Sequence, residues 1–256
     1  MADGSRTDAV HRAVRRADHA RRVAGVLRRQ IAGDGFPADR LPEERLLAAE
    51  FGVSRNAVRE ALALLAQEGV VERRRGIGTL VRSRPYRHPL AQLAGLAEVL
   101  HHHGGVVNTV REARRVRPPA DVARKLRLEP GEEAVYLERL RRLDGSPLSL
   151  DSTYLLTEVG DPLLALEPAA LEHHDVFHLI ETVAGAPLGR AEVSVQAVAA
   201  DPATREVLGM PESGAVLAVE RLARLADGRP ADVELLHLRG DRLTLHAELD
   251  RPSAGA

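Results

Sequence analysis

LPEERLLAAEFGVSRNAVREALALLAQEGVVERRRGIGTLV, residues 41–81, is the stretch whose reading decides the fold. Pro42 suits a helix start, where its missing N–H is not needed, and Glu43 and Glu44 complement the positive end of the helix dipole. A first helix is expected over roughly 43–51, with Leu46, Leu47 and Phe51 as its apolar stripe. Gly52 then supplies the backbone freedom of a sharp turn. Ser54 is a good N-cap for a second helix, in which Val58, Leu62 and Leu65 recur at helical spacing and face inward. Arg55, Asn56 and Arg59 lie near its start on the other side and point at a partner. After Gly69, the runs Val70–Arg75 and Gly78–Arg82 pair as two strands around Gly76 and Ile77, giving a narrow, basic hairpin.

Two short helices and a basic hairpin, in that order, are suited to duplex DNA. Arginine presents a planar fork that matches the O6 and N7 edge of guanine, and asparagine reads adenine or holds a phosphate. The hairpin can lie along phosphates or place an arginine in the minor groove. GIGT at 76–79 is a poor phosphate loop, because no Lys-Ser or Lys-Thr follows it and no helix opens after it.

The segments LPEERLLA, GVSRNAVREAL, EGVV and GIGTLV together resemble the winged-helix domain of GntR-type transcription regulators. The resemblance implies that Arg45 holds a phosphate and that Arg55 and Arg59 read bases. It also implies that Ser54, Asn56 and Ala57 line the DNA backbone, and that Arg75 and Gly76, with Thr79 behind them, form the wing. One departure is Glu43, where the family usually places an N-capping Ser.

Charge is distributed to match. The 256-residue chain is close to neutral overall, yet residues 1–84 carry 17 Arg against 11 acids while residues 85–256 carry 19 basic residues against 26 acids. Only the first part is expected to meet phosphate. The length suffices for two domains with separate cores. With no Cys in the chain, disulfides, thiolate catalysis and cysteine-ligated zinc are excluded. No apolar run approaches the ~20 residues needed to span a bilayer, and the N-terminus lacks the apolar core of a signal peptide, so no membrane partner and a cytoplasmic location are expected.

Residues 1–17 read as a loose polar tail, with a helix over roughly 18–33 built on Val23, Leu27 and Ile31 completing a DNA-binding domain of residues 18–82. A polar linker is expected over 83–89, followed by an apolar-rich helix from about Leu90 to His103. Beyond it the chain nearly repeats itself. LRLEPGEEAVYLERLRRLDGSPLSL (126–150) parallels LGMPESGAVLAVERLARLADGRPADV (208–233), each preceded by a short helix that begins near Pro119 or Pro202. Each copy gives a strand, an Asp-Gly turn and a returning strand. A helix at Val176–Ala184 and a strand at Arg190–Val198 lie between them. Two such units suggest one antiparallel sheet with helices packed against it.

E-R-x-R-x-x-D-G-x-P at 138–147, D-G-R-P at 227–230 and R-G-D-R at 239–242 resemble the UTRA ligand-binding domain of the HutC subfamily, an α+β fold related to chorismate lyase. The fold class expected is therefore α+β, a winged helix-turn-helix followed by a chorismate lyase-like sheet over 90–251. By that resemblance Arg139, Arg141 and Asp232 face a small-molecule effector in a cleft between sheet and helices. Phosphate-binding members carry hydroxyls at the start of the first helix of this domain and Ser at the start of a later one; here stand Gly95, Ala97 and Asp175. A carboxylate at that later helix N-terminus takes the positive site and repels a dianion, so the effector expected is not a phosphate ester.

A metal at His101, His102 and His103 is disfavoured, because consecutive helical residues point about 100 degrees apart; His173 and His174 read as ordinary surface residues. No cofactor is implied. Glu138, Asp151, Glu220 and Asp232 offer acids and bases for an enzyme, but nothing in their spacing pairs them with an activated nucleophile. The reading is a homodimeric regulator, more a repressor than an activator, because two-fold symmetry matches a palindromic operator and doubles the contacts.

Overall fold

The structure, a computed structural model, describes residues 3–33, 35–36, 38–82, 85–90, 92–100, 105–212 and 214–249. It divides into two compact units at Tyr86 and Arg87, inside the stretch expected to be a linker.

The first unit contains α1 (Asp3–Ala32), α2 (Glu44–Phe51), α3 (Arg55–Gln67), β1 (Val71–Arg74) and β2 (Gly78–Val81). The expected tail of residues 1–17 is corrected: α1 begins at Asp3. The reason is composition, since Ala and Arg dominate residues 6–24 with neither Gly nor Pro, and both favour helix. Val23, Leu27 and Ile31 of α1 pack with Leu47 of α2 and Val58, Leu62 and Leu65 of α3 into one core. Arg28 of α1 grips Glu68 through two hydrogen bonds of 2.9 and 2.6 Å, tying the first helix to the end of α3. Gly52 ends α2 at φ 62°, the left-handed conformation that the turn into α3 requires. Antiparallel β1 and β2 form the hairpin, and the preceding chain adds a short third lane. There Leu41 N–H donates to Thr79 C=O at 2.9 Å, and Val81 N–H to Asp39 C=O at 2.8 Å.

The second unit follows as β3 (Tyr86–Pro89), α4 (Leu96–Leu100), β4 (Val106–Val116), α5 (Ala120–Leu126), β5 (Ala134–Leu143) and β6 (Ser146–Leu156). Then come α6 (Thr157–Leu164), α7 (Pro168–His173), α8 (Val176–Ala184), β7 (Leu188–Ala199), α9 (Pro202–Leu208), β8 (Ala215–Leu225), β9 (Pro230–Arg239) and β10 (Leu243–His246). The polar look of 83–89 concealed β3, which pairs with β10 and alternates buried Tyr86 and His88 with exposed Arg87. The helix expected from Leu90 is shorter. Gly95 starts α4 by donating its N–H to Glu98 Oε2 at 2.9 Å, and His101–His103 lie outside the described residues.

Six strands form one antiparallel sheet in the order β4-β5-β6-β9-β8-β7. The repeat explains this order: β4-α5-β5-β6 and β7-α9-β8-β9 are equivalent units joined along β6 and β9. On one face α5 packs Val122 and Leu126 onto Leu222 and Val233, while α9 packs Leu208 against Leu140, Leu150 and Val216. On the other, α6 and α8 lay Val159, Leu163, Phe177 and Ile180 over Val135, Leu137, Leu155 and Ala223. No helix of the described residues is long and apolar enough to cross a membrane.

Candidate functional site

In the first unit Ser54 caps α3, its Oγ accepting from Ala57 N–H at 3.2 Å. Capping fixes where the helix starts and sets Arg55, Asn56 and Arg59 on its exposed face. Glu43, at the N-cap of α2, makes no side-chain cap bond, as its replacement of Ser implied. Arg45 is exposed on α2, and Arg75 and Gly76 are exposed at the hairpin tip.

Two expected contacts are corrected in part. The Ala57 side chain is fully buried beneath α3, so this residue serves the cap through its N–H and presents no side chain. Thr79 is buried too, its carbonyl engaged by Leu41. Both follow from position: one faces the α1–α3 core, the other the inside of the hairpin.

Glu44 is a residue the sequence reading did not place. Its carboxylate accepts from Arg59 Nε at 2.7 Å and also pairs with Arg73 of β1. One acid thus orients an arginine of α3 and one of the hairpin while leaving both more than two-fifths exposed. Its signal in the sequence was only the favourable dipole position.

In the second unit, strand register puts Arg139 and Arg141 of β5, Asp151 and Thr153 of β6, Asp232 and Glu234 of β9 and Arg221 of β8 on the face beneath α8. The four expected effector residues are therefore gathered, with Asp175 as the N-cap of α8, accepting from Phe177 N–H at 3.1 Å. They are not an open anion site. Arg139, Arg141, Asp151 and Asp232 are all buried, at most 1% exposed. Arg141 donates to Asp151 Oδ2 at 2.7 and 3.2 Å and approaches Asp175 at 3.5 Å; Arg221 pairs with Glu234. Arg139 Nη1 donates to the carbonyls of Leu171 and His174 at 3.2 and 3.0 Å, but its Nε and Nη2 have no partner. Of the arginine pair read as free to meet an anion, Arg141 is thus neutralised from within, while Arg139 is buried against main-chain carbonyls.

Burial pushes the Asp232 carboxyl up to about 7, against the opposing pull of Arg221 and with Glu234 adding to the rise. Burial likewise raises Glu234. His88 moves the other way, to about 4, because burial and the positive charges of Arg221 and Arg141 disfavour its cation more than Asp175 favours it. Three guanidinium groups, Arg139, Arg141 and Arg221, thus meet four acids, Asp151, Asp175, Asp232 and Glu234, of which Asp232 is pushed up to about 7. No net positive charge is left for a dianion.

Beside this cluster lies a cavity of about 240 Å³ between the sheet and the segment 88–96. Its wall is mainly aliphatic, with Leu93, Leu96, Val219 and Leu236 among the lining residues, and its polar groups include His88 and Arg221. Arg221 stacks 4.0 Å from the Phe177 ring centroid, and its Nε is buried without a partner. Neither His88 nor Arg221 was foreseen as a site residue. The A-V-E-R at 218–221 aligns with the Y-L-E-R that carries Arg139, so the repeat was the signal that held Arg221. His173 and His174 engage their own helix, Nδ1 lying 2.8 and 2.9 Å from the carbonyls of Ala169 and Ala170.

Residues 19–81 match the model of the bacterial regulatory proteins of the gntR family, and residues 103–244 match that of the UTRA domain, more than half of the chain. The chain belongs to the UTRA-domain family of GntR-type regulators. An HTH-type transcriptional regulator of Mycobacterium tuberculosis is 29% identical over 238 residues, 91% of this chain and 87% of its own length. The probable transcriptional regulator PhnF of Escherichia coli is 28% identical over 228 residues, covering 88% and 93% of the two chains. The crystal structure of PhnF from Mycobacterium smegmatis superposes with a TM-score of 0.63 at 25% identity, covering 89% of this chain and 99% of that one. This GntR-type regulator is accordingly a DNA-binding transcription factor with a UTRA effector domain, and not an enzyme.

Proposed function

We propose that this regulator, in the cytoplasm, binds a two-fold operator as a homodimer through α3 and the hairpin, as a repressor that a small molecule releases. Arg55 and Arg59 read base edges, Asn56 and Arg45 hold phosphate, and Arg75 with Gly76 follows the adjacent groove. The observation that carries this reading is the exposed arginine pair at the capped start of α3, with Arg59 held by Glu44. The test is to select duplexes with the purified full chain and measure the winning sequence against its scrambled version. A palindromic winner lost on Arg55→Ala supports the reading, and equal affinity for both duplexes refutes it.

The effector enters the cavity between the sheet and residues 88–96 and bears an apolar body with an oxygen acceptor, not a phosphate ester. Its lining is largely aliphatic, and the one buried donor without a partner among its lining residues, Arg221 Nε, suits a carbonyl or a single carboxylate. Asp175 and the internal neutrality of the cluster stand against a dianion. Calorimetry with alkyl carboxylates of increasing length beside glucose 6-phosphate discriminates: affinity that grows with chain length supports this class, and tight binding of the sugar phosphate excludes it. Effector and operator then weaken each other's binding by the same factor.

A further inference from the structure

We infer that Ile77, at the tip of the β1–β2 hairpin, is an apolar wedge that enters the minor groove of the operator and selects a deformable base step there. The inference rests on the groove contact proposed above for Arg75 and Gly76, and gives the hairpin a part in sequence choice.

Ile77 is out of place for a side chain that serves only the fold. It is the one aliphatic residue between Val71 and Leu80, and it is 48% exposed. The core of this unit, which takes in Val70 and Val71, does not include it. Its position is nevertheless fixed. Arg74 pairs with Gly78, so Arg75, Gly76 and Ile77 alone make the loop, and the Ile77 N–H donates to the Arg74 carbonyl at 3.1 Å. Gly76 and Gly78 flank it at φ 78° and 117°, a backbone that favours glycine. The tip thus carries one bulky side chain between two residues that have none. Branching at its Cβ also restricts χ1, so little rotamer freedom is lost on contact.

Around this apolar point stand cations. Arg73, Arg74 and Arg75 precede it, all exposed, and the exposed Arg40 lies against Gly78, where an added Cβ would come within 3.3 Å of its Nε. An apolar tip with a basic rim complements the minor groove, which is about 6 Å wide and has phosphates along both lips. The arginines meet those phosphates, and the sugar walls and base edges are left for Ile77. Phosphate contacts favour every sequence alike. An aliphatic wedge, by contrast, must part a base step, and that cost is smallest at the flexible TA and CA/TG steps. Sequence preference then arises at a step that α3 does not touch.

The test selects duplexes with the purified full-length chain, with Ile77→Ser and with Ile77→Val, each checked for its fold by circular dichroism, and compares the winners by anisotropy across a salt series. The native chain is expected to enrich a pyrimidine–purine step at a fixed distance from the positions read by α3. Ile77→Val should keep that step. Ile77→Ser should keep the α3 positions and lose the step, binding the native winner about tenfold more weakly at an unchanged salt slope. Arg75→Ala should instead lower the slope by about one, as a lost phosphate contact does. 2-Aminopurine placed in the step should brighten when the native chain binds and stay dark with Ile77→Ser. Selection of the same step at the same affinity by Ile77→Ser, or an equal loss on every duplex, overturns the wedge and leaves the hairpin contact standing. An Arg75→Ala chain with native affinity and salt slope as well overturns both.

Discussion

The carboxylate of Asp175 fills the space that a side chain on Gly95 would need: a Cβ built on Gly95 would overlap its Cγ and both oxygens. The start of α4 and the start of α8 are thus a matched pair, glycine making room for an acid that caps α8 and faces Arg141. Gly95→Ser alone is expected to destabilise the second unit by about 1–3 kcal/mol, the usual cost of overpacking. Gly95→Ser with Asp175→Ser should recover most of that loss and gain affinity for inorganic phosphate, since hydroxyls then replace a repelling carboxylate. Thermal melts of the singles and the double, with a phosphate titration, check both; additive destabilisation would deny the pairing.

Asp151 and Arg141 form a buried ion pair. Asp151→Asn leaves a guanidinium at 1% exposure with its principal partner removed. Breaking a buried pair from one side costs about 3–5 kcal/mol. Chemical denaturation should show that loss while binding of DNA by the first unit persists at temperatures where the second remains folded.

His88 and Asp232 make opposing contributions to stability against pH. His88, neutral in the fold with a value near 4, contributes stability that is complete above its ordinary 6.5 and is lost as pH falls toward 4. Asp232, protonated in the fold up to about 7, contributes stability at and below its ordinary 3.8 that declines as pH rises toward 7. Relative to the native chain, His88→Gln should therefore become progressively less disadvantaged between pH 6.5 and 4. Asp232→Asn should gain relative stability between pH 4 and 7, by on the order of a few kcal/mol at the top of that range. Urea titrations across the range supply the difference curves, and parallel curves for both variants would contradict the assignment.

These buried groups also mark where the sequence stops being informative. The apolar spacing of α3, the Ser54 cap and the two Asp-Gly hairpins are local patterns, and each became the element expected. The near-repeat carried the single antiparallel sheet with helices packed against it, though not the order of its strands. What it could not carry was the state of Arg139 and Arg141: an alternating arginine pair reads as an anion site until Asp151 and Asp175, from elsewhere in the chain, are brought against it. Strand β4 escapes the sequence because VVNTVREARRV has the charges of an edge, and edges are selected not to look like buried strands. Residues 3–17 look like a tail because they are polar, although helix propensity sums over a window regardless of charge.

Glu44 is expected to govern how sharply DNA is read. Glu44→Ala releases Arg59 and Arg73 from a shared carboxylate, raising local positive charge while removing the orientation of Arg59. Affinity for random duplex should rise and discrimination should fall, a combination visible in anisotropy titrations at two salt concentrations. A loss on both duplexes would mean that Glu44 serves only to stabilise α2.

The base-reading role of α3 is tested most directly by anisotropy of the purified full-length chain on its selected operator and on a scrambled duplex, with Arg55→Ala and Arg45→Ala beside it. Arg55→Ala should lose about 1–3 kcal/mol on the operator and little on the scrambled duplex, whereas Arg45→Ala should weaken both alike. Full operator discrimination by Arg55→Ala would contradict the account.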